Sequence, residues 1–455
     1  MANPTDTAPD PLQTLLAQAM QCHASGRTAD AERLYGEVLS QDSRHPDALH
    51  LLGLLAARDD HLERAQSLIW QAIAAQPGEA MFHNNLANVC IQRGQLAEAE
   101  ALYVRALELD GSRLDALSNL GLLLSRTDRP DAAEQLLLKA VELAPHNPDW
   151  RQNLANLYMS QGRQTDALAQ CHDGLVVAPR SRTLRGLMVL AYVHLGLKPK
   201  ALEVLRAWIA SEPDDPYPQH HLAALTGEQV PQRASDDYVS RLFDGFAGSF
   251  DAKLADLSYQ APQLVAAAVA RRVGPAGHRL DVLDAGCGTG LCGPLLAPFA
   301  RQLVGVDLSE GMLRLAFGRN CYDSLIQGEL VAFLRSTAAA YDLLASADTL
   351  CYFGALEGFA EAACTALRAG GWLVFTVEAH PSDAGLPNYL LQGHGRYSQS
   401  QPYVESALRG AGLHQVETQA VMLRHEGGQP VPGWLVTAQA PALPLRSAHH
   451  ETPCR

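Results

Sequence analysis

DVLDAGCGTGLCGPLL, residues 281–296, decides how the second half of this chain folds. Val282 and Leu283 begin an apolar run that reaches Asp284, after which Gly286, Gly288 and Gly290 alternate with Cys287 and Thr289, and Pro294 stands near the first turn of a helix. Three glycines between a strand and a helix let the backbone pass against a ligand, because a Cβ would clash or forbid the dihedrals needed. The start of a helix also leaves N–H groups with no partner inside the helix.

Outward from this stretch, short apolar strands alternate with helices: LDVLDA (280–285), QLVGVD (302–307), YDSLIQGEL (322–330), YDLLASAD (341–348) and GWLVFTVE (371–378). That order predicts a doubly wound parallel sheet with helices on both faces. The final pair, LHQVETQAV (413–421) and GWLVTAQA (433–440), is close enough in sequence for a hairpin with an antiparallel strand near the sheet edge. Seventeen residues past Gly290, Asp307 ends the second strand, where a carboxylate accepts both hydroxyls of an adenosine ribose. The dinucleotide fingerprint is GxGxxG, whereas this loop reads DAGCGTG, an acidic residue ahead of GxGxG.

Five features in order, DAGCGTG, GVDLS with Met312 behind it, Glu329 after the third strand, SADTLCYFG after the fourth and LRAGGWLVFTVE at the fifth, resemble class I S-adenosylmethionine-dependent methyltransferases over residues 235–440. The resemblance implies a Rossmann-like domain using S-adenosyl-L-methionine. Asp284, Gly286, Gly288 and Gly290 would contact the methionine part of the cofactor, Asp307 the ribose, and Leu308 and Met312 the adenine. Glu329 is a further adenine-side candidate, and Asp348 would face the methyl donor or the acceptor. Ordinary readings stand beside these, a surface carboxylate for Glu329 and a core thioether for Met312. Methyl transfer asks the protein to align the acceptor and, where needed, to remove its proton. His380 in FTVEAHP is the first candidate base, with Asp348 beside it; Tyr352 and Glu378 are other candidates, and His394, Arg396 and Tyr397 in the Gly-rich loop GHGRYSQSQPY are possible acceptor contacts. A histidine beside a proline in a loop is also commonly a surface residue. The Asn-Pro-Pro-Tyr signature of amide and adenine N-methylation is absent.

The first half repeats. In a 34-residue frame starting at residues 12, 46, 80, 114, 148 and 182, the twentieth position is Ala31, Ala65, Ala99, Ala133, Ala167 and Ala201. The eighth position is also small, and the fifteenth carries Gly26, Gly94, Gly162 and Gly196, with Asp60 and Asp128 in the other two frames. Pro77, Pro145, Pro179 and Pro213 close the second helix, and repeats 1 and 3 have Ser43 and Gly111 instead. These columns resemble six tetratricopeptide repeats, an all-α solenoid over residues 12–215. Asn85, Asn119 and Asn153 at position 6, with Asn88 and Asn156 at position 9, would recur along the groove, and the resemblance implies that they bind a protein partner or protein substrate. Simple solvation is the alternative for them.

Residues 216–234 read as a cap and linker, 235–440 as the methyltransferase domain and 441–455 as a disordered tail. Phe243, Phe246 and Phe250 recur at helical spacing in LFDGFAGSFD, the phrase that joins the halves. With the repeats in front, the whole chain resembles the bacterial tetratricopeptide-repeat methyltransferases. The net charge of -14 divides between two acidic halves, which argues against nucleic acid and anionic lipid as partners. No apolar run is long enough to span a membrane, and nine scattered cysteines without a CxxC pair predict free thiols, no metal and a cytoplasmic protein. The expected activity is methyl transfer to an acceptor, with the repeats recruiting a protein. The alternative is a repeat scaffold whose second domain only senses the cofactor. A nicotinamide oxidoreductase is disfavoured by GxGxG.

Overall fold

The structure, a computed structural model, describes residues 10–59, 61–381, 386–426 and 428–442, with backbone alone at 246, 249, 252, 255 and 256. Asp60, the side chain of Phe246 and most of the tail expected at 441–455, Cys454 included, lie outside that description. The chain divides into two compact units, residues 1–197 and 198–455.

Helices follow the frame. The first helices of the repeats are α1 (Pro11–Ala24), α3 (Pro46–Arg58), α5 (Ala80–Gln92), α7 (Leu114–Arg126), α9 (Pro148–Ser160) and α11 (Arg182–His194). The second helices are α2 (Thr28–Gln41), α4 (Leu62–Ala75), α6 (Leu96–Leu109), α8 (Pro130–Leu143), α10 (Gln164–Val177) and α12 (Lys198–Ser211), of which α12 belongs to the second unit. All six alanines of position 20 are fully buried. A Cβ on Gly53 would stand 2.7 Å from Ile69 Cγ1, so position 8 stays small because α3 and α4 touch there. Gly26, Gly94, Gly162 and Gly196 turn the chain with φ between 70° and 74°, and Asp128 takes the same left-handed turn at 57°. Helices α2 and α6 end at the same frame position as those followed by proline, although Ser43 and Gly111 replace it. The ring reinforces a stop that the repeat packing already sets.

In the second unit, α13 (Pro216–Thr226) packs on α12 and on α14 (Asp236–Phe246). A 3-10 turn, Ala247–Ser249, leads to α15 (Phe250–Asp256) and α16 (Ala261–Val273). Then come β1 (Leu280–Ala285), α17 (Gly293–Leu296), β2 (Ala300–Asp307), α18 (Glu310–Gly318), β3 (Ser324–Gln327), α19 (Leu330–Arg335), β4 (Tyr341–Ser346), α20 (Glu357–Ala366), β5 (Leu367–Ala379), β6 (Tyr389–Leu391), β7 (Tyr397–Gln399), α21 (Gln401–Gly410), β8 (His414–Glu426) and β9 (Gln429–Gln439). Strands β3, β2, β1, β4 and β5 lie side by side in parallel, and β9 runs antiparallel between β5 and β8. The strands alternate faces with period two. Val282, Leu343, Val374 and Leu435 pack with Val265 and Val269 of α16, while Leu283, Leu344, Phe375 and Val436 pack with Leu334, Phe359 and Val404 of α19, α20 and α21.

Two expectations change. The run YDSLIQGEL is a strand only to Gln327, because Glu329 turns the chain into α19 by accepting the N–H groups of Val331 and Ala332. The Gly-rich segment after β5 is a β6–β7 hairpin rather than an open loop, and β7 pairs with β5 at Glu378 and Ala379, beyond the end of β4.

Candidate active site

Strand β1 lies between β2 and β4, and the chain leaves it in one direction and returns in the other, so the C-terminal ends of β1 and β4 diverge into a crevice. The glycine loop stands there. Gly286 has φ 74°, and a Cβ on it would lie 2.2 Å from Thr349 Oγ1, which leaves glycine as the only residue that fits. The N–H of Gly288 donates to Asp307 Oδ2 at 2.9 Å, tying the loop to the end of β2.

A cavity of about 120 Å3 opens over this loop. Asp284, Gly286, Gly288, Asp307, Leu308, Met312, Glu329 and Asp348 all line it. Gly290 does not. Its Cβ would meet Tyr322 Cε2 at 3.0 Å and Ala316 Cα at 3.2 Å, so this glycine lets α18 approach the loop and makes no ligand surface.

Asp284 is buried and accepts a hydrogen bond from Tyr322 Oη at 2.6 Å. Burial pushes its carboxyl up to about 7; the Tyr322 hydrogen bond pulls the other way, and the charge of Asp307 adds to the rise. Asp307 is raised by burial as well, against the N–H groups of Ser309 and Gly288 that favour its charge. Glu329 lines the cavity while its carboxylate caps α19, with Arg233 Nη1 3.8 Å away. Met312 is buried and forms part of the wall.

The segment LFDGFAGSFD straps this cavity. Phe243, Phe250 and Leu254 form its outer wall. Asp244 Oδ1 accepts from Ser309 Oγ at 2.5 Å, and Asp251 accepts from Thr289 Oγ1 at 2.6 Å and Arg319 Nη2 at 2.5 Å. Each Phe-Asp pair therefore puts a ring on the cavity and a carboxylate on its rim. Sequence reasoning missed this role, although the doubled Phe-Asp, seven residues apart, was a visible signal.

At the end of β4, Asp348 adopts φ 53°, and its Oδ2 pairs with Arg424 Nη1 at 2.5 Å. Arg424, on β8, is buried and also binds Glu378 and Glu426; Arg396 bridges the same two glutamates at 2.5 and 2.7 Å. Burial raises Asp348 while Arg424 opposes it. Burial works on Glu426 in the same sense, but the two guanidiniums hold it at about 2. His394 Nε2 lies 3.7 Å from Glu378 Oε2.

A second cavity adjoins the first and shares Phe243, Phe250, Leu254, Tyr259, Asp348 and Tyr352 with it. Arg396 and His394 line the second cavity only. Tyr397 does not reach it, being buried with its hydroxyl donating to the Pro231 carbonyl at 2.9 Å. His380 lines neither cavity. Its ring is buried beyond the end of β5, with Nε2 donating to the Pro387 carbonyl at 3.1 Å, and geometry removes it as a candidate base.

The asparagines of the repeats join one repeat to the next. Asn85, Asn119 and Asn153 at position 6 donate to His50, Asn84 and Ser118, each at position 5 of the preceding repeat, at 2.9, 3.3 and 3.0 Å. Asn88 Oδ1 accepts from Tyr103 Oη at 2.6 Å and from Asn119 at 3.1 Å. Asn156 is exposed. The expected open ladder is thus largely engaged inside the array.

Residues 78–146 and 128–182 match family models described as tetratricopeptide repeat, and residues 257–418 match one described as methyltransferase domain. A TPR repeat-containing protein of Pseudomonas aeruginosa is 36% identical over 24% of this chain and 43% of its own length. Human methyltransferase-like protein 27 is 38% identical over 18% of this chain and 34% of its own. The chain spans less than half the length of these curated relatives. Among solved structures, PilW, described as a type IV pilus biogenesis factor, aligns over 47% of this chain and 98% of its own with 20% identity and a TM-score of 0.42. No helix among the described residues is long and apolar enough to cross a membrane. The chain carries tetratricopeptide repeats followed by a mixed α/β methyltransferase domain.

Proposed function

We propose that this is a cytoplasmic S-adenosylmethionine-dependent methyltransferase whose repeats recruit a protein, either as substrate or as partner. The supporting observation is the convergence on one cavity of two carboxylates, the buried Asp284 and the half-buried Asp307, beside Gly286, where a Cβ finds no room. These residues fit the cofactor: Asp284 to hold its ammonium, Asp307 its ribose hydroxyls, Leu308 and Met312 the two faces of adenine, and Glu329 the adenine edge. S-adenosylmethionine would supply a methyl group already activated on a sulfonium. The chain's own work is then to exclude water with Phe243 and Phe250, to align an acceptor, and to hold a proton at Asp348. The acidic charge of both halves supports a partner other than nucleic acid.

Calorimetry with S-adenosylhomocysteine tests the reading. Binding to the wild-type chain is expected, with a loss of about tenfold or more in Asp307→Ala for two missing charged hydrogen bonds. A wild-type chain that does not bind sinks the proposal. For the repeats, the exposed Asn156 is the groove asparagine to replace in a partner pull-down, because Asn156→Ala leaves the bonds between repeats intact.

A further inference from the structure

The second cavity has a volume of about 360 Å3, at the lower end of the range of small-molecule sites. Its outer wall comes from α13 and α14. The rings of Tyr217 and His221 are 4.3 Å apart, those of Tyr217 and Tyr238 are stacked at 6.0 Å, and leucines of α14 and α15 complete the surface. Such a wall offers flat apolar faces to a flat apolar body.

The polar end is already occupied by itself. Arg396 and Arg424 spend their N–H groups on Asp348, Glu378 and Glu426, and among the described residues Lys253 of the strap is the one further charge on the wall. A charged ligand would leave water for a site whose counter-charges are taken, which is costly; a neutral one loses little. Three carboxylates against two guanidiniums also leave the cluster able to take up one proton. Asp348 is the member that faces both cavities. An amine in its neutral form attacks through its own lone pair and sheds a proton afterwards, whereas a hydroxyl must give up its proton as it is methylated.

We propose that the second cavity binds a small uncharged aromatic hydroxyl compound and that the protein methylates its oxygen with Asp348 as proton acceptor, an inference that rests on the cofactor reading above. In that step an oxygen lone pair forms the new O–CH3 bond as the carbon–sulfur bond breaks. The bonding pair returns to sulfur, leaving a neutral thioether, and the hydroxyl proton passes to Asp348.

The test uses the full chain, saturated with S-adenosylhomocysteine, and three probes of one shape: 2-naphthol, 2-naphthoate and 2-naphthylmethylammonium. Calorimetry is expected to find 2-naphthol bound at least about tenfold more tightly than either ion. Tyr217→Leu combined with His221→Leu is expected to weaken 2-naphthol by about tenfold while leaving S-adenosylhomocysteine affinity within about twofold, because neither ring lines the cofactor cavity. The unchanged second ligand doubles as the folding control. An ion that binds more tightly than 2-naphthol, a chain that binds none of the three, tighter binding of a tyrosine peptide, or a double variant that keeps full 2-naphthol affinity each overturns the proposal. If S-adenosylhomocysteine does not bind, the cofactor reading fails instead, and 2-naphthol titrated into the same chain alone still decides the cavity.

Discussion

Asp284 is the residue whose chemistry depends most on its surroundings. Its carboxyl titrates near 7 in the folded chain, against about 3.9 in an unfolded one. A carboxyl raised in this way stabilises the fold below its unfolded value, and that contribution is lost as pH rises through the folded one, so this group costs the free protein stability between about pH 4 and about pH 7. A bound ammonium favours the ionised form. S-adenosylhomocysteine is therefore expected to bind several-fold more tightly at about pH 8 than at about pH 6 by calorimetry, with Asp284→Asn flattening the dependence. Tyr322→Phe removes the hydrogen bond that favours the charge and moves the midpoint upward. For Asp348, Asp348→Asn is expected to lower kcat by roughly 10²–10⁴ with KM for the acceptor little changed, which steady-state kinetics separates. Asp284 and Asp307 were legible in the sequence because each sits at a fixed offset from a glycine run at the end of a strand. Gly290 and His380, expected at the site, line neither cavity. Which way a positive-φ glycine presents its missing Cβ, and where a chain turns after its strand, depend on neighbours distant in sequence.

At the scale of elements, the strap made by α14 and α15 and the hydrogen bonds between repeats are the features that local pattern could not reveal. Asp244 and Asp251 each hold the strap to the rim of the cofactor cavity through partners more than thirty residues away. Asp244→Ala and Asp251→Ala are each expected to raise the Kd for S-adenosylhomocysteine about tenfold and to speed its release, as the loss of a charged hydrogen bond of roughly 1.5 kcal/mol requires. Stopped-flow displacement reads both. In the array, Asn119→Ala removes bonds to Asn84 and Asn88 at once, and a loss of about 1–2 kcal/mol in denaturant unfolding is expected. A variant as stable as wild type would return Asn119 to the groove. The helices themselves were readable from the frame. The use of position 6 was not, since its partner lies in the preceding repeat, and spacing alone does not distinguish a groove amide from one that pins two hairpins.

For the whole molecule, the division at residue 197 places α12 and α13 with the methyltransferase domain. His220 donates to the Gly395 carbonyl at 2.8 Å and stacks 4.1 Å from Tyr238, and Tyr217 and His221 wall the second cavity. A fragment of residues 198–455 is expected to bind S-adenosylhomocysteine as the full chain does. A fragment of residues 228–455, without two buried hydrogen bonds, His220 to Gly395 and that between Tyr238 and His221, and without several ring contacts, is expected to be less stable by roughly 2–4 kcal/mol in urea titration. Equal stability of the two fragments would mean that α13 is only a cap.

The sequence by itself determined the 34-residue frame, the order of strands and helices, and the carboxylates flanking the glycine loop, because these follow from periodicity and from the dihedrals that glycine permits. Only the tertiary structure decided that the join is a strap, that Asn85, Asn88, Asn119 and Asn153 are spent between repeats while Asn156 stays exposed, and that Asp348 faces a second cavity while His380 lines neither. Those outcomes depend on which side chains meet across long stretches of chain, and burial and pairing there, rather than residue type, set what each group can do.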